Sequence, residues 1–298
     1  MNPLKTEHSE PPIPKVSRGR IERLEHYPFA YVSARHIDVW LPEGYPSHGD
    51  YAVLYMNDGQ MLFDPAITWN KQSWGVADIV DTLSSKGKIR QCIVVGIHSN
   101  TGRHSDYFPK KPFDNLPVAY REFLLNQAKR DDETPLFMTD IQSDNYLKFM
   151  VKELKPLIDS RYATLSNPAN TFIAGSSMGA LISIYAICEY PEVFGGAACL
   201  STHWTGLFSA QNNPIPEVFM DYLRQHLPDP NSHRIYFDYG TETLDALYEP
   251  YQLQVDQIML SKGYAFPNWQ TQKFAGENHS EEAWRKRLHI PITFLLHS

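Results

Sequence analysis

Thr171-Phe172-Ile173-Ala174-Gly175-Ser176-Ser177-Met178-Gly179 runs into an apolar stretch, Ala180 to Tyr190, that Pro191 ends. The short apolar run at its start reads as a buried strand, and the longer one after it as a central helix. Gly175-x-Ser177-x-Gly179 therefore falls at a strand-to-helix turn. The pentapeptide alone decides little, because at average glycine and serine frequencies it arises by chance in roughly one chain in ten of this length. Its placement is what informs. On such a turn the small flanking residues let strand and helix pass closely. The serine is held in a strained conformation with its hydroxyl exposed, and the unpaired N–H groups of the helix N-terminus point at any oxyanion forming beside it.

On either side of this turn, strand and helix patterns alternate. Ala34 to Leu41 alternates as a half-buried strand, whereas Tyr51 to Met56 and Cys92 to Ile97 are apolar throughout, as strands of a parallel sheet covered on both faces are. Residues 143 to 158 carry Tyr146, Phe149, Met150, Leu154 and Leu157 at helical spacing, which predicts a surface helix with Ser143 and Asp144 as caps. Further strands are expected at Gly195 to Leu200, Arg234 to Tyr239 and Gln270 to Phe274. Further helices are expected near Tyr251 to Leu260 and after Ser280. The pattern is α/β: a mostly parallel central sheet with helices on both faces. One catalytic domain is expected over 21–298, behind a polar, Pro-rich and poorly ordered leader at 1–20.

Composition narrows the function classes. With 27 basic and 34 acidic side chains the formal net charge is −7, and no basic stripe offers to neutralise phosphates, which speaks against a nucleic-acid partner. No apolar run is long enough to span a membrane, and the start of the chain has no apolar signal core, so a cytoplasmic location is expected. Cys92, Cys188 and Cys199 each lie in apolar surroundings and read as small buried hydrophobes. There is no C-x-x-C or H-E-x-x-H pattern, and no metal site is expected. Oligomeric state is left open, a homo-oligomer included.

A serine hydroxyl is a weak nucleophile and needs a base. In the α/β-hydrolase fold, whose nucleophile turn this one matches, the order along the chain is serine, acid, histidine. Among histidines after Ser177, His279 sits in the polar loop Gly276-Glu277-Asn278-His279-Ser280, between a strand and the last helix. The loop after the Arg234 to Tyr239 strand offers Glu242 and Asp245; Glu242 is preferred for its nearness to the strand end, and a dyad without an acid stays open. Two backbone N–H donors are needed for the oxyanion. Met178, next to the nucleophile, supplies one, and Gln60, after Asp58-Gly59, is the choice for the other.

Four segments, taken together, resemble one family. They are Leu54-Tyr55-Met56-Asn57-Asp58-Gly59-Gln60, Val151 to Asp159 with Tyr162 following, Gly175 to Gly179, and Leu200-Ser201-Thr202-His203-Trp204. They are similar to the putative esterase family of α/β-hydrolases, which includes enterochelin-esterase-like, esterase-D-like and feruloyl-esterase-like hydrolases. The resemblance implies a cofactor-free serine esterase acting on a small or aryl ester through an acyl-enzyme, with Ser177 as nucleophile and His279 as base. It leaves three alternatives: a siderophore-type lactone esterase, an acyltransferase or thioesterase on the same residues, and a catalytically silent binding protein. Siderophore-hydrolysing relatives tend to show paired tryptophans where this chain has His203-Trp204. Trp204 is the expected lining of an acyl or alcohol pocket, and Arg103 the expected partner of an anionic substrate group.

Overall fold

The computed structural model describes residues 11–47 and 49–297. Eight strands form one sheet: β1 (Arg20–Tyr27), β2 (Arg35–Leu41), β3 (Ala52–Asn57), β4 (Cys92–Ile97), β5 (Thr171–Ser176), β6 (Gly196–Leu200), β7 (Arg234–Gly240) and β8 (Trp269–Phe274). Their order is β1-β2-β4-β3-β5-β6-β7-β8. β1 and β2 join antiparallel at one edge, and every pairing from β4 through β3 to β8 is parallel. This is the expected α/β-hydrolase architecture.

Alternation along the strands supplies two cores. Val53, Tyr55, Ile173 and Phe237 face the larger one, with the helices Ser143–Phe149 and Met178–Glu189. Leu54, Met56, Ala174 and Tyr236 face the other, with the helices Val76–Ser85 and His289–Leu296. Cys92, Cys188 and Cys199 are buried free thiols, as their apolar contexts predict. No helix among the described residues is long and apolar enough to cross a membrane.

Three local expectations change. The first strand of the sheet, β1, begins inside the expected leader. Its register shifts between Leu24 and Tyr27, breaking the alternation that would have marked it. Ahead of it the described part of the leader is tied to the body: the Lys15 N–H donates to Asp64 (3.0 Å), and Trp40 Nε1 donates to the Arg18 carbonyl (2.9 Å). Residues 1–10 lie outside the described residues. At 143–161 the helical pattern is interrupted by a wider turn at Met150–Leu154, and its N-cap is Gln142. Ser143 and Asp144 are engaged elsewhere, accepting from the Lys110 N–H (2.9 Å) and the Tyr185 hydroxyl (2.7 Å).

Candidate active site

The loops that follow β3, β4, β5, β6, β7 and β8 meet beyond the C-terminal ends of the parallel strands, the edge where open α/β sheets build their sites. At their centre Ser177 closes β5 and caps the helix Met178–Glu189, with φ 56° and ψ −122°. A non-glycine residue held there costs on the order of 1–3 kcal/mol and persists only where its surroundings over-determine it. They do. The Ser177 N–H donates to the Leu200 carbonyl at the end of β6 (3.0 Å). A Cβ on Gly175 would lie 2.5 Å from the Gly179 carbonyl oxygen, so only glycine lets strand and helix approach this closely.

The loop after β3 is locked to the same helix. Asn57 Nδ2 donates to the Gly179 carbonyl (3.1 Å) and Ser183 Oγ (3.0 Å), while its Oδ1 accepts from the Tyr146 hydroxyl (2.7 Å). Gln60 follows in the turn Gly59–Met61. Its side chain pairs with Ser99 twice, donating from Nε2 to Oγ (2.6 Å) and accepting the N–H at Oε1 (3.0 Å), which fixes the Gln60 backbone against the loop after β4.

On the other side the loops after β7 and β8 are knit together. The Thr241 and Glu242 N–H groups donate to the Glu277 carbonyl (3.0 and 3.1 Å), and the His279 N–H donates to Thr243 Oγ1 (3.0 Å). Thr243, at φ 56°, turns the chain into a short helix, Thr243–Leu247. That turn brings Asp245, fully buried, to His279: Nδ1 lies 2.5 Å from Asp245 Oδ1. Glu242 is exposed and makes no such contact. The first choice of carboxylate is therefore corrected to Asp245, because the residue nearest the strand end faces solvent and the one a turn later faces the imidazole.

Behind Asp245 lies a buried hydroxyl that the sequence did not single out. Asp245 Oδ2 accepts from Ser201 Oγ (2.6 Å) and from the Gly240 N–H (2.6 Å). Ser201 Oγ in turn accepts from Trp284 Nε1 and Arg287 Nη2, both at 2.9 Å. Indole and guanidinium are donors only, so they occupy both hydroxyl lone pairs and the one hydroxyl proton goes to Asp245. With Oδ2 filled, Oδ1 takes the proton on His279 Nδ1, which leaves the lone pair on Nε2. Burial pushes the Asp245 carboxyl up, and the hydrogen bonds from His279, Ser201 and Gly240 outweigh it, so the group is held below its ordinary value and ionised. The His279 ring also packs edge-on to Trp284 (5.0 Å) and Tyr248 (5.9 Å). Ser201 lies in Leu200 to Trp204, one of the segments that carried the resemblance; its own role could be found only once β6 and the last helices were packed together.

Ser177 and His279 share the wall of a cavity of about 400 Å³ with Gln60, Arg103, His104 and Arg130 among others. Arg103 is there, but it donates from Nε and Nη2 to the two carboxylate oxygens of Asp58, both at 2.7 Å, so the expected anion partner is already paired within the protein. Trp204 is not in the wall. It is 1% exposed, packs on Phe219 and Phe237, and donates from Nε1 to Gln252 (2.9 Å), which makes it a core residue with a satisfied polar tip.

A model of the Esterase family, described as "Putative esterase", matches residues 31–290. This chain belongs to the putative esterase family. As a member it is a carboxylic ester hydrolase with the α/β-hydrolase fold. The uncharacterized protein YbbA of Bacillus subtilis (strain 168) is 21% identical over 210 residues, covering 70% of this chain and 68% of that protein. Two solved structures share the fold. A ferulic acid esterase from Anaeromyces mucronatus has a TM-score of 0.65 at 18% identity, over 98% of this chain and 92% of that one. An IroE-like serine hydrolase from Shewanella oneidensis has 0.65 at 17%, over 92% and 79%.

Proposed function

We propose that this esterase works through an acyl-enzyme built on Ser177, with His279 as general base and acid and Asp245 as the carboxylate that orients it. The observation that carries this reading is the His279 Nδ1 to Asp245 Oδ1 contact of 2.5 Å on a histidine that shares its cavity with a serine in the strained turn. The Nε2 lone pair takes the Ser177 proton as Oγ bonds to the ester carbonyl carbon. The same Nε2–H then protonates the leaving alcohol, and a water repeats the sequence to release the acid. Asp245 stays ionised and stabilises the imidazolium that each step forms. The carbonyl oxygen, now an oxyanion, is taken by the N–H groups of Met178 and Gln60, the first at a helix N-terminus and the second anchored through Ser99. A cavity of about 400 Å³ suits a small or aryl ester. In this reading the eight-stranded sheet and the helices that cover it form one catalytic domain.

The test is a fluorophosphonate probe followed by peptide mapping, together with hydrolysis of 4-nitrophenyl acetate. The expected adduct is on Ser177, and Ser177→Ala loses both labelling and turnover while its thermal unfolding stays cooperative. Labelling elsewhere, or turnover that survives in Ser177→Ala, overturns the proposal.

A further inference from the structure

With Arg103 bound to Asp58, His104 and Arg130 are a histidine and a cation of the catalytic cavity's wall that keep donor capacity to spare. His104 is 9% exposed. Its Nδ1 is sealed from solvent without a partner, and among the described residues no side-chain hydrogen bond reaches the ring. Burial, with Arg103 and Arg130 nearby, drives its pKa down to about 3, so the ring is neutral at neutral pH. A neutral imidazole carries one proton, and a sealed nitrogen with nothing to donate to is best left bare, which puts the proton on Nε2. Arg130 donates from Nε to the Pro135 carbonyl (3.3 Å); the adjacent Asp131 feels its charge but is held mainly by the Thr134 and Glu133 N–H groups, and no ion pair with Arg130 forms among the described residues. Both charges felt at His104 are positive. The acidic group of the wall, Glu281, accepts from Asn70 Nδ2 (2.7 Å) and lies within the field of Arg103. Trp69, 84% exposed, stands at the same wall as an apolar platform.

We infer that His104 and Arg130 form a subsite for a carboxylate carried by the substrate, so that the preferred esters are half-esters whose acyl chain ends in an anionic group. Arg130 supplies the charge and a forked donor pair, and His104 Nε2–H supplies a neutral donor beside it. This rests on the esterase reading above and names the substrate class for that site. The pairing of Arg103 with Asp58 gives the subsite its selectivity, because it leaves Arg130 as the arginine of the wall able to receive an anion.

Mono-4-nitrophenyl glutarate and 4-nitrophenyl valerate share an acyl chain length and differ in the terminal carboxylate. The expected result in the full chain is a kcat/KM ratio favouring the half-ester, which falls about tenfold in Arg130→Met through a higher KM for the half-ester, the loss of roughly one charge-assisted hydrogen bond. His104→Phe lowers the ratio in the same direction. A ratio equal in wild type and Arg130→Met overturns the subsite. Glutarate binding to the Ser177→Ala protein, followed by titration calorimetry, separates this failure from that of the esterase reading, since it needs no turnover. If neither ester is cleaved yet glutarate binds and Arg130→Met weakens that binding, the subsite stands and the acyl-enzyme proposal falls. Glutarate binding that is indifferent to Arg130 overturns the subsite whatever the kinetics show.

Discussion

Of the fully buried carboxylates, Asp38 and Asp245, one near each wing of the sheet, are satisfied in opposite ways. Asp38, on β2, accepts from Arg23 through both oxygens (2.6 and 2.8 Å) and from His98 Nε2 (2.8 Å), and no cavity of the catalytic site reaches it. Asp245 accepts from two neutral donors, Ser201 and Gly240, and its remaining oxygen is given to a histidine that opens on the cavity. The first charge is already cancelled by a permanent cation. The second is solvated without being cancelled, which keeps it able to stabilise an imidazolium that exists only during reaction. In this pair, neutral solvation goes with the carboxylate proposed to orient His279, and full ion pairing with the one that ties strands together.

The comparison breaks first at Asp38. Asp38→Asn keeps the shape but leaves Arg23, whose side chain is 2% exposed, without its counter-charge. A loss of about 3–5 kcal/mol in unfolding free energy is expected by denaturant titration. A loss below about 1 kcal/mol would show that the pair is not a structural anchor.

The same group makes a pH prediction. Burial raises the Asp38 carboxyl, and its bonds to Arg23 and His98 outweigh that, so its folded pKa lies below its ordinary value. A depressed carboxylate contributes stability that is fully present above the unfolded pKa of about 4 and is lost as pH falls through the folded value. Asp106 and Asp238, raised by burial, act in the opposite sense, so the informative quantity is the difference between wild type and Asp38→Asn. That difference is expected to shrink as pH falls below about 4; one that stays constant would contradict the shift.

At the other wing, removing the hydroxyl behind Asp245 sharpens the contrast. Ser201→Ala is expected to lower kcat about tenfold with little change in KM, the kinetic equivalent of one hydrogen bond to the orienting carboxylate. Ser201→Gly separates function from folding, because residue 201 has φ 44° and glycine relieves that strain. It should show the same kinetic loss with a smaller drop in melting temperature. Kinetics unaffected in both variants would remove Ser201 from the site.

How much of this was legible depends on how local each signal was. The β5 strand, the turn at Ser177 and the helix after it are contiguous, so their pattern is complete in one stretch. His279 was readable from its loop between a strand and the last helix. Glu242 and Asp245 differ only in which side of a short turn each faces, and Thr243 at positive φ decides it. Arg103 looked free because its partner, Asp58, is 45 positions away. Trp204 looked like a pocket residue because nothing local tells an indole facing a cavity from one donating to Gln252. The missed β1 is half-exposed or exposed except at Leu24 and has a register shift, which together erase the strand period.

The central claim, that Asp245 and not Glu242 orients His279, is tested most directly by measuring kcat/KM for Asp245→Asn and Glu242→Gln side by side on a neutral 4-nitrophenyl ester. Asp245→Asn is expected to lose about 10⁴-fold, as the same change does in a serine protease triad, by presenting an N–H to Nδ1 and forcing the wrong tautomer. Glu242→Gln, on an exposed side chain, is expected to stay within about twofold of wild type. The reverse ranking, or equal small losses in both, would contradict the account.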